Sequence, residues 1–113
     1  MNSTVDHIAV LVDDLEIAEA WYCDHLVAKV TFRDEKYIRL QINNTNIALI
    51  DKKHYAHAHF GILVENVCDL PVEKGEVVKH RDGTTGVYVK DPFGNYLEYI
   101  WYSPEARKVF LND

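Results

Sequence analysis

Apolar and polar residues alternate along the chain in short runs, and one arrangement of these runs occurs twice. The segment from His7 to Leu15 reads HIAVLVDDL, and the segment from His59 to Val67 reads HFGILVENV. The two align without a gap and share a leading histidine, an apolar run and two polar residues before an aliphatic one. Such an apolar, β-branched-rich run predicts a buried strand, and the polar residues after it indicate that a helix follows. The sequence therefore predicts two copies of one supersecondary unit.

The first repeat, residues 5–51, is predicted to be a βαβββ unit. A strand over residues 5–12 leads to Asp13 or Asp14, either of which can cap a helix over residues 15–26 whose apolar residues recur at helical spacing. Closely spaced polar breakers then predict an antiparallel meander. Its three strands are expected at residues 28–33, 37–42 and 46–51.

The second repeat, residues 57–102, begins with the recurring strand but has a shortened helix. Pro71 and Gly75 leave room for about one helical turn after that strand. Three further strands are predicted near residues 76–81, 86–90 and 96–101. The second repeat is therefore the same βαβββ unit with its helix cut down.

The chain is predicted to end in a helix over residues 103–112. Ser103 suits the N-cap of this helix and Pro104 its first position, where the missing N–H costs nothing. A length of 113 residues is that of one domain. The expected fold class is α+β, with residues 1–113 forming a single domain of two βαβββ modules.

Alternation along the strands assigns each side chain to one of two faces. In the predicted third strand, aliphatic residues alternate with Tyr37, Arg39 and a glutamine, which places the polar and aromatic set on the face that carries His7. We expect that face to be a hydrated groove rather than a second core. Alignment of the last strands of the two repeats makes Glu98 correspond to Leu49. The alternation of Glu98 with Leu97 and Tyr99 places Glu98 in the same groove.

Three ionisable side chains, His7, His59 and Glu98, are thus predicted on the groove face. Two imidazoles and one carboxylate suit a divalent first-row metal, Mn, Fe, Ni or Zn, with positions left open for water and substrate. Taken singly, each histidine could be a hydrogen-bonded structural residue and the glutamate a solvated one. Their repeat-related positions favour a metal site. His57 has the strand parity of His59 and is the rival ligand.

Composition and charge narrow the range of partners. The net charge of -6 and the pI of about 5.4 argue against nucleic acid as a partner, because phosphate binding needs a basic face. No apolar run approaches the roughly 20 residues of a membrane helix. The two cysteines form neither a disulfide framework nor a metal-binding spacing. A reducing cytoplasm is therefore the expected location.

The motifs together resemble the vicinal oxygen chelate superfamily, which includes glyoxalases, bleomycin-resistance proteins, fosfomycin-resistance transferases and extradiol dioxygenases. The similarity rests on HIAVLVDDLEIAEAWYCDHL, HFGILV and KDPFGNYLEYIW and covers nearly the whole chain. It implies paired βαβββ modules that form an open, barrel-like groove, often in a homodimer with modules exchanged between chains. It also implies a divalent metal bound by first-strand histidines and a last-strand glutamate, here His7, His59 and Glu98.

Departures from the family pattern distinguish its branches. Glyoxalases of the family use a fourth ligand on the last strand of the first module, where Leu49 stands, so a four-ligand glyoxalase I is disfavoured. Two histidines and one glutamate match the fosfomycin-resistance and extradiol branches better. Ala9, however, stands where the fosfomycin branch has a substrate-binding threonine. For the acid/base histidine of the extradiol branch, His57 and His80 are candidates only.

The expected function is that of a metal-dependent enzyme of lyase, transferase or dioxygenase type, whose ion acts as a Lewis acid on a small oxygenated substrate. The weaker candidates for substrate binding are basic and aromatic: Tyr37, Arg39, Lys79, Tyr88, Tyr96 and Arg107. For any one of these, surface charge or cross-strand packing is the competing interpretation. The alternative function is a metal-free, bleomycin-resistance-like binding protein, in which aromatic rings stack on a flat ligand.

Overall fold

A computed structural model describes residues 3–111 of the chain. These residues separate into two compact units. The first unit is His7–His59, and the second unit contains the residues up to Asp6 together with those from Phe60 onward. No helix within the described residues is long and apolar enough to span a membrane.

The first unit has the predicted βαβββ order. Its elements are β1 (Val5–Val12, of which the first two residues belong to the second unit), α1 (Leu15–His25), β2 (Lys29–Arg33), β3 (Tyr37–Ile42) and β4 (Thr45–Asp51). The strands lie in the order β2-β3-β4-β1. β1 and β4 are parallel, whereas the other neighbours are antiparallel. Asp14 is the N-cap of α1 and accepts a hydrogen bond of 3.0 Å from the backbone N–H of Ile17.

The second unit repeats this arrangement without the long helix. Its elements are β5 (His59–Leu63, of which the first residue belongs to the first unit), a 3₁₀ turn (Val67–Asp69), β6 (Glu76–Lys79), β7 (Thr84–Lys90), β8 (Tyr96–Tyr102) and α2 (Pro104–Phe110). The strands lie in the order β5-β8-β7-β6, with β5 and β8 parallel. The single 3₁₀ turn confirms the predicted shortening, because Pro71 and Gly75 follow it closely.

The C-terminal helix begins as the sequence predicts. Ser103 accepts a hydrogen bond of 3.1 Å from the backbone N–H of Ala106, and Pro104 occupies the first helical position. The helix ends at Phe110, whereas the predicted end at residue 112 lies outside the described residues. Ala106 packs with Ile100 and Tyr102, so α2 covers the end of β8.

One face of the first unit forms the core beneath α1. Ile38, Leu40 and Leu49 are buried there, with Leu40 and Leu49 wholly removed from solvent. Half-buried side chains from α1 pack onto them, among them Leu15 and Tyr22. The predicted assignment of the β3 aliphatic residues to the helix side is thus confirmed for Ile38 and Leu40.

The opposite face of the first unit is not the hydrated groove that the alternation predicts. Tyr37 is 8% exposed and lies in an apolar cluster with Ala9, Ala48 and Ile50. Its ring stacks on Phe32 at a centroid distance of 5.1 Å. The prediction is wrong here because the two small alanines leave room for an aromatic ring. Apolar area is thereby buried on both faces of the sheet.

The register of the strands also corrects the alignment of the two repeats. Ala9 pairs with Ala48 between β1 and β4, and Gly61 pairs with Glu98 between β5 and β8. Ala9 and Gly61 are themselves equivalent, because each lies two residues after its repeat's leading histidine. Glu98 therefore corresponds to Ala48, and the alignment with Leu49 is off by one residue. An alanine offers no ligand atom, so the first repeat still contributes none from its last strand.

Candidate metal centre

Two buried histidines bring their ring nitrogens together. The Nε2 atoms of His7 and His59 are 3.3 Å apart, and the ring planes meet at 88°. Both residues are less than a tenth exposed. Two nitrogens that each lie about 2.1 Å from one tetrahedral ion are about 3.4 Å apart. The spacing of the two imidazoles is therefore close to that of two ligands on one ion.

A carboxylate joins these two rings. His7, His59 and Glu98 each offer one ligand atom, and the three atoms all lie within 4.8 Å of one another. Glu98 is 2% exposed. Its strand places it here because Gly61 of β5, its register partner, lies two residues after His59. His57, the rival ligand, lies outside this cluster, with its ring centroid 6.1 Å from that of His59.

The donor set of this cluster fits a divalent cation. Two imidazole nitrogens and a carboxylate oxygen are ligands that zinc and the neighbouring first-row metals accept. Burial of an ionisable side chain is costly unless an opposite charge or hydrogen bonds compensate for the lost water. A divalent ion would provide that compensation to all three side chains at once. The residues present therefore fit the metal that the resemblance implies.

Residues of the second unit closely surround the Glu98 carboxylate. Its Oε2 atom lies 2.6 Å from Nε2 of His80, and both side chains are largely buried. The Tyr88 hydroxyl lies 3.5 Å from the same histidine nitrogen. A Cβ atom placed on Gly86 would lie 1.9 Å from the Glu98 Oε2. The carboxylate thus occupies a space that exists because residue 86 has no side chain.

Two of the six substrate-binding candidates lie on the strand face of Glu98. Tyr88 is the register partner of Glu98 across β7 and β8, so the two side chains share a face. Tyr96 precedes Glu98 by two residues on β8 and shares that face by alternation. Both tyrosines are half-buried, and the Lys90 ammonium lies 5.9 Å from the centre of the Tyr96 ring.

The other four candidates are placed differently. Tyr37 and Arg39 are buried in the first unit, Tyr37 within the apolar cluster. Lys79 is exposed at the end of β6. Arg107 on α2 forms an ion pair of 3.1 Å with Glu65. Packing and ion pairing therefore give three of these four residues a role that needs no substrate.

Sequence reasoning missed Gly86 and left His80 unassigned between several roles. The repeat contains a signal for Gly86. Gly86 pairs with Ile100 as Tyr37 pairs with Ile50, so Gly86 and Tyr37 occupy equivalent positions in the two repeats. A glycine in the place of a tyrosine indicates a position where a side chain must be absent. His80 has no comparable signal, since it follows β6 and has no histidine as its counterpart.

The family-level comparison agrees with this geometry. Residues 4–99 of the chain match the family model described as the Glyoxalase/Bleomycin resistance protein/Dioxygenase superfamily. The chain belongs to this superfamily. No functionally curated protein gives a significant match to this member in sequence. The superfamily resemblance drawn from the motifs is thereby confirmed.

Solved structures from the same superfamily share the fold of this member. Methylmalonyl-CoA epimerase from Mycobacterium tuberculosis is 14% identical with a TM-score of 0.74, and the match covers 92% of this chain and 91% of that one. A superfamily member from Vibrio splendidus 12B01 is 12% identical with a TM-score of 0.64, covering 88% of this chain and 99% of the other. A variant of homoprotocatechuate 2,3-dioxygenase from Brevibacterium fuscum is 21% identical with a TM-score of 0.68, covering 88% of this chain but 32% of the dioxygenase. Identities this low indicate a common fold and no particular reaction.

Proposed function

We propose that this superfamily member is a metal-dependent enzyme that acts on a small oxygenated substrate. In this proposal His7, His59 and Glu98 bind a divalent ion, Mn, Fe, Ni or Zn. The observation that carries the proposal is the convergence of three buried ligand atoms within 4.8 Å. When bound, such an ion supplies Lewis acidity, which polarises substrate oxygens and stabilises the negative charge that develops on them.

The side chains around the ligands would orient the substrate. Tyr88 and Tyr96 share the strand face of Glu98 and are half-buried, which suits them as walls against a small ligand. Their rings offer apolar area and their hydroxyls can donate hydrogen bonds. We therefore narrow the substrate contacts to these two tyrosines. The exposed Lys79 and the ion-paired Arg107 are left as weaker candidates for contact with an anionic group.

The ligand count favours the three-ligand branches of the superfamily. Ala48 occupies the position equivalent to Glu98 and cannot coordinate an ion. Three protein ligands leave positions open for two substrate oxygens, the arrangement that a Lewis-acid role requires. The proposed reaction class is accordingly a lyase, transferase or dioxygenase rather than a four-ligand glyoxalase I.

The alternative, a metal-free binding protein of the bleomycin-resistance type, has less support. That function needs aromatic faces that are free to stack on a flat ligand. One candidate face is occupied in this way, because the Tyr37 ring stacks on Phe32 inside the apolar cluster. A binding protein of this kind would keep His7, His59 and Glu98 as a hydrogen-bonded polar cluster, with no ion to offset the burial of a carboxylate that is 2% exposed.

We also propose a homodimer in the cytoplasm. Large apolar side chains are exposed on strands of the second unit, among them Phe60 and Val77, where the first unit's sheet has a helix packed onto it. Exposed apolar area of this kind is typical of an interface. Cys23 and Cys68 are exposed free thiols, which suits a reducing compartment. Sedimentation of a monomer at micromolar concentration would argue against the dimer.

Metal analysis of the purified protein tests the proposed function. We expect near-stoichiometric Mn, Fe, Ni or Zn, lost on His7→Ala and retained on His54→Ala, a matched change of an exposed histidine outside the cluster. The His54→Ala control separates loss of a ligand from loss of any histidine. Wild-type protein that takes up no metal, or His7→Ala protein that retains it, would favour the binding-protein alternative.

A further inference from the structure

We propose that His80 and Gly86 position Glu98 as a metal ligand before any ion arrives. His80 fixes the carboxylate by a hydrogen bond, and Gly86 leaves open the space that the carboxylate occupies. His80 is a positioning residue in this proposal and does not itself bind the ion. The proposal rests on the metal-binding part of the proposed function and adds a second layer of residues to it.

The hydrogen bond between His80 and Glu98 is short and buried. Its length of 2.6 Å is just below the range of about 2.7–2.9 Å for charge-assisted N–H···O bonds, and the two side chains are 11% and 2% exposed. An ionised carboxylate can only accept, so Nε2 of His80 donates. A bond shielded from water in this way holds both partners strongly. It therefore fixes the rotation of the carboxylate and the direction of its remaining lone pairs.

The backbone around His80 is itself held in place. The His80 N–H donates to the Thr84 carbonyl at 2.8 Å, closing the turn between β6 and β7. Within that turn, the Asp82 carboxylate accepts from the Thr84 N–H at 3.0 Å and from the Thr84 hydroxyl at 2.7 Å. Thr84 is 2% exposed. Because its backbone is held by this turn, His80 can orient a neighbouring side chain without itself changing position.

Gly86 confines the carboxylate from a second direction. Gly86 and Glu98 are diagonal neighbours on one face of β7 and β8, because Gly86 pairs with Ile100. A Cβ at residue 86 would lie 1.9 Å from Oε2 and 2.7 Å from Cδ of Glu98. Any side chain at this position would displace the carboxylate. The space is therefore specific to the combination of glycine with glutamate.

The first repeat shows the reverse combination on the same diagonal. Tyr37 stands in the place of Gly86, and Ala48 stands in the place of Glu98. In the first repeat the large residue, Tyr37, is on β3 and the small one, Ala48, is on β4. In the second repeat the large residue, Glu98, is on β8, and Gly86 on β7 has no side chain. The large side chain has thus moved to the other strand of the pair, and it is a carboxylate instead of an aromatic ring. A size match of this kind indicates that Gly86 and Glu98 depend on each other.

Cobalt binding tests the positioning role. We expect His80→Ala to weaken Co²⁺ binding by 10- to 100-fold, the range seen when the partner of a ligand is removed. His80→Gln retains an N–H donor and should recover part of the affinity. The visible absorption bands of bound Co²⁺ should keep their positions in both variants, because the ligand set is unchanged. His54→Ala should bind Co²⁺ as the wild-type protein does.

Unfolding measurements on the metal-free protein test the role of Gly86. Gly86→Ala should lower the denaturant midpoint in the wild-type background. In the Glu98→Ala background it should lower the midpoint far less, because the atoms that the new methyl group meets are gone. Equal effects in the two backgrounds would overturn the proposed dependence of Gly86 on Glu98.

The outcomes separate this proposal from the function on which it rests. If wild-type protein binds no Co²⁺, the proposed function fails and the positioning role fails with it. If wild-type protein binds Co²⁺ and both His80 variants bind it equally well, only the positioning role is overturned. Shifted cobalt bands in both His80 variants would identify His80 as a ligand and would therefore also overturn the positioning role.

Discussion

Replacement of Glu98 by glutamine should abolish most of the stabilisation that a metal gives while leaving the metal-free fold intact. Glu98→Gln preserves the size of a side chain that fills the space beside Gly86, so it introduces neither a cavity nor a clash. It removes the negative charge and leaves a neutral amide oxygen, a weaker ligand. The metal dissociation constant should rise by more than about 100-fold, because removal of a ligand's partner alone costs 10- to 100-fold.

The expected change in stability follows from two opposing effects in the metal-free protein. The substitution weakens a hydrogen bond to a charged group, worth about 1.5–3 kcal/mol. It also removes a carboxylate that is 2% exposed and whose burial carries a desolvation cost of similar size. The free energy of unfolding should therefore change by no more than about 1 kcal/mol.

The assay is thermal unfolding with and without Zn²⁺ at 100 times the wild-type dissociation constant. Binding to the native state alone should stabilise the wild-type protein by about 2.7 kcal/mol. For a domain of this size that corresponds to a rise in Tm of about 10 °C. Glu98→Gln should show less than a fifth of that rise at the same Zn²⁺ concentration. A variant that keeps the full rise would refute Glu98 as a ligand.

Two further predictions concern the scaffold. Leu40→Ala should lower the free energy of unfolding by about 2–5 kcal/mol, because Leu40 is wholly buried beneath α1, whereas Val27→Ala, at 95% exposure, should stay within about 0.5 kcal/mol in the same urea titration. The backbone N–H of Asn95, with that of Phe93, donates to the Asp91 carboxylate and holds its pKa below the ordinary value of 3.8. A lowered folded-state pKa contributes stability above the unfolded value that is lost as the pH falls through the folded one. Asp91→Asn should therefore be less stable than the wild-type protein at pH 6, with the difference shrinking as the pH falls below 3.8. A difference that is constant with pH would contradict this assignment.

The elements of the fold were readable from the sequence because local signals agreed with one another. The alternation of apolar residues, the N-caps at Asp14 and Ser103 and the breakers Pro71 and Gly75 each act over a few residues. The structure places the corresponding helix starts and the shortened helix where these signals predict them. Strand ends differ by up to two residues, because pairing with the neighbouring strand decides where a strand stops.

The groove face was harder to predict, because the polarity of one strand does not reveal which side chains of the neighbouring strands pack against it. Tyr37 alternates with apolar residues and so suggests a hydrated face, yet Ala9 and Ala48 on the neighbouring strands make room for its ring. The equivalence of Glu98 and Leu49 failed for a related reason. Its basis was similarity between two short apolar runs, and a shift of one residue leaves such runs almost equally similar while it moves every side chain to the other face.

The clustering of the three candidate ligands was predictable because two of them occupy equivalent positions in the repeats, whereas the supporting residues have no such signal. His7 and His59 occupy equivalent positions, and β8 is the strand parallel to β5, which together define where a third ligand can stand. The hydrogen bond from His80 depends on the turn between β6 and β7 and on a carboxylate 18 residues later in the chain. No local pattern in the sequence encodes that pairing.

The difference between the repeats accounts for the asymmetry of the candidate centre. Each repeat contributes an imidazole from the same strand position, so duplication of one unit yields two candidate nitrogen ligands without further change. A third ligand requires a long polar side chain on a last strand, and there is space for one only where the facing residue is small. Tyr37 fills that space in the first repeat, and Gly86 leaves it open in the second. The difference in side-chain size at these two positions therefore gives one carboxylate where strict duplication would give two or none. In the proposed centre, three protein ligands would leave positions open for substrate.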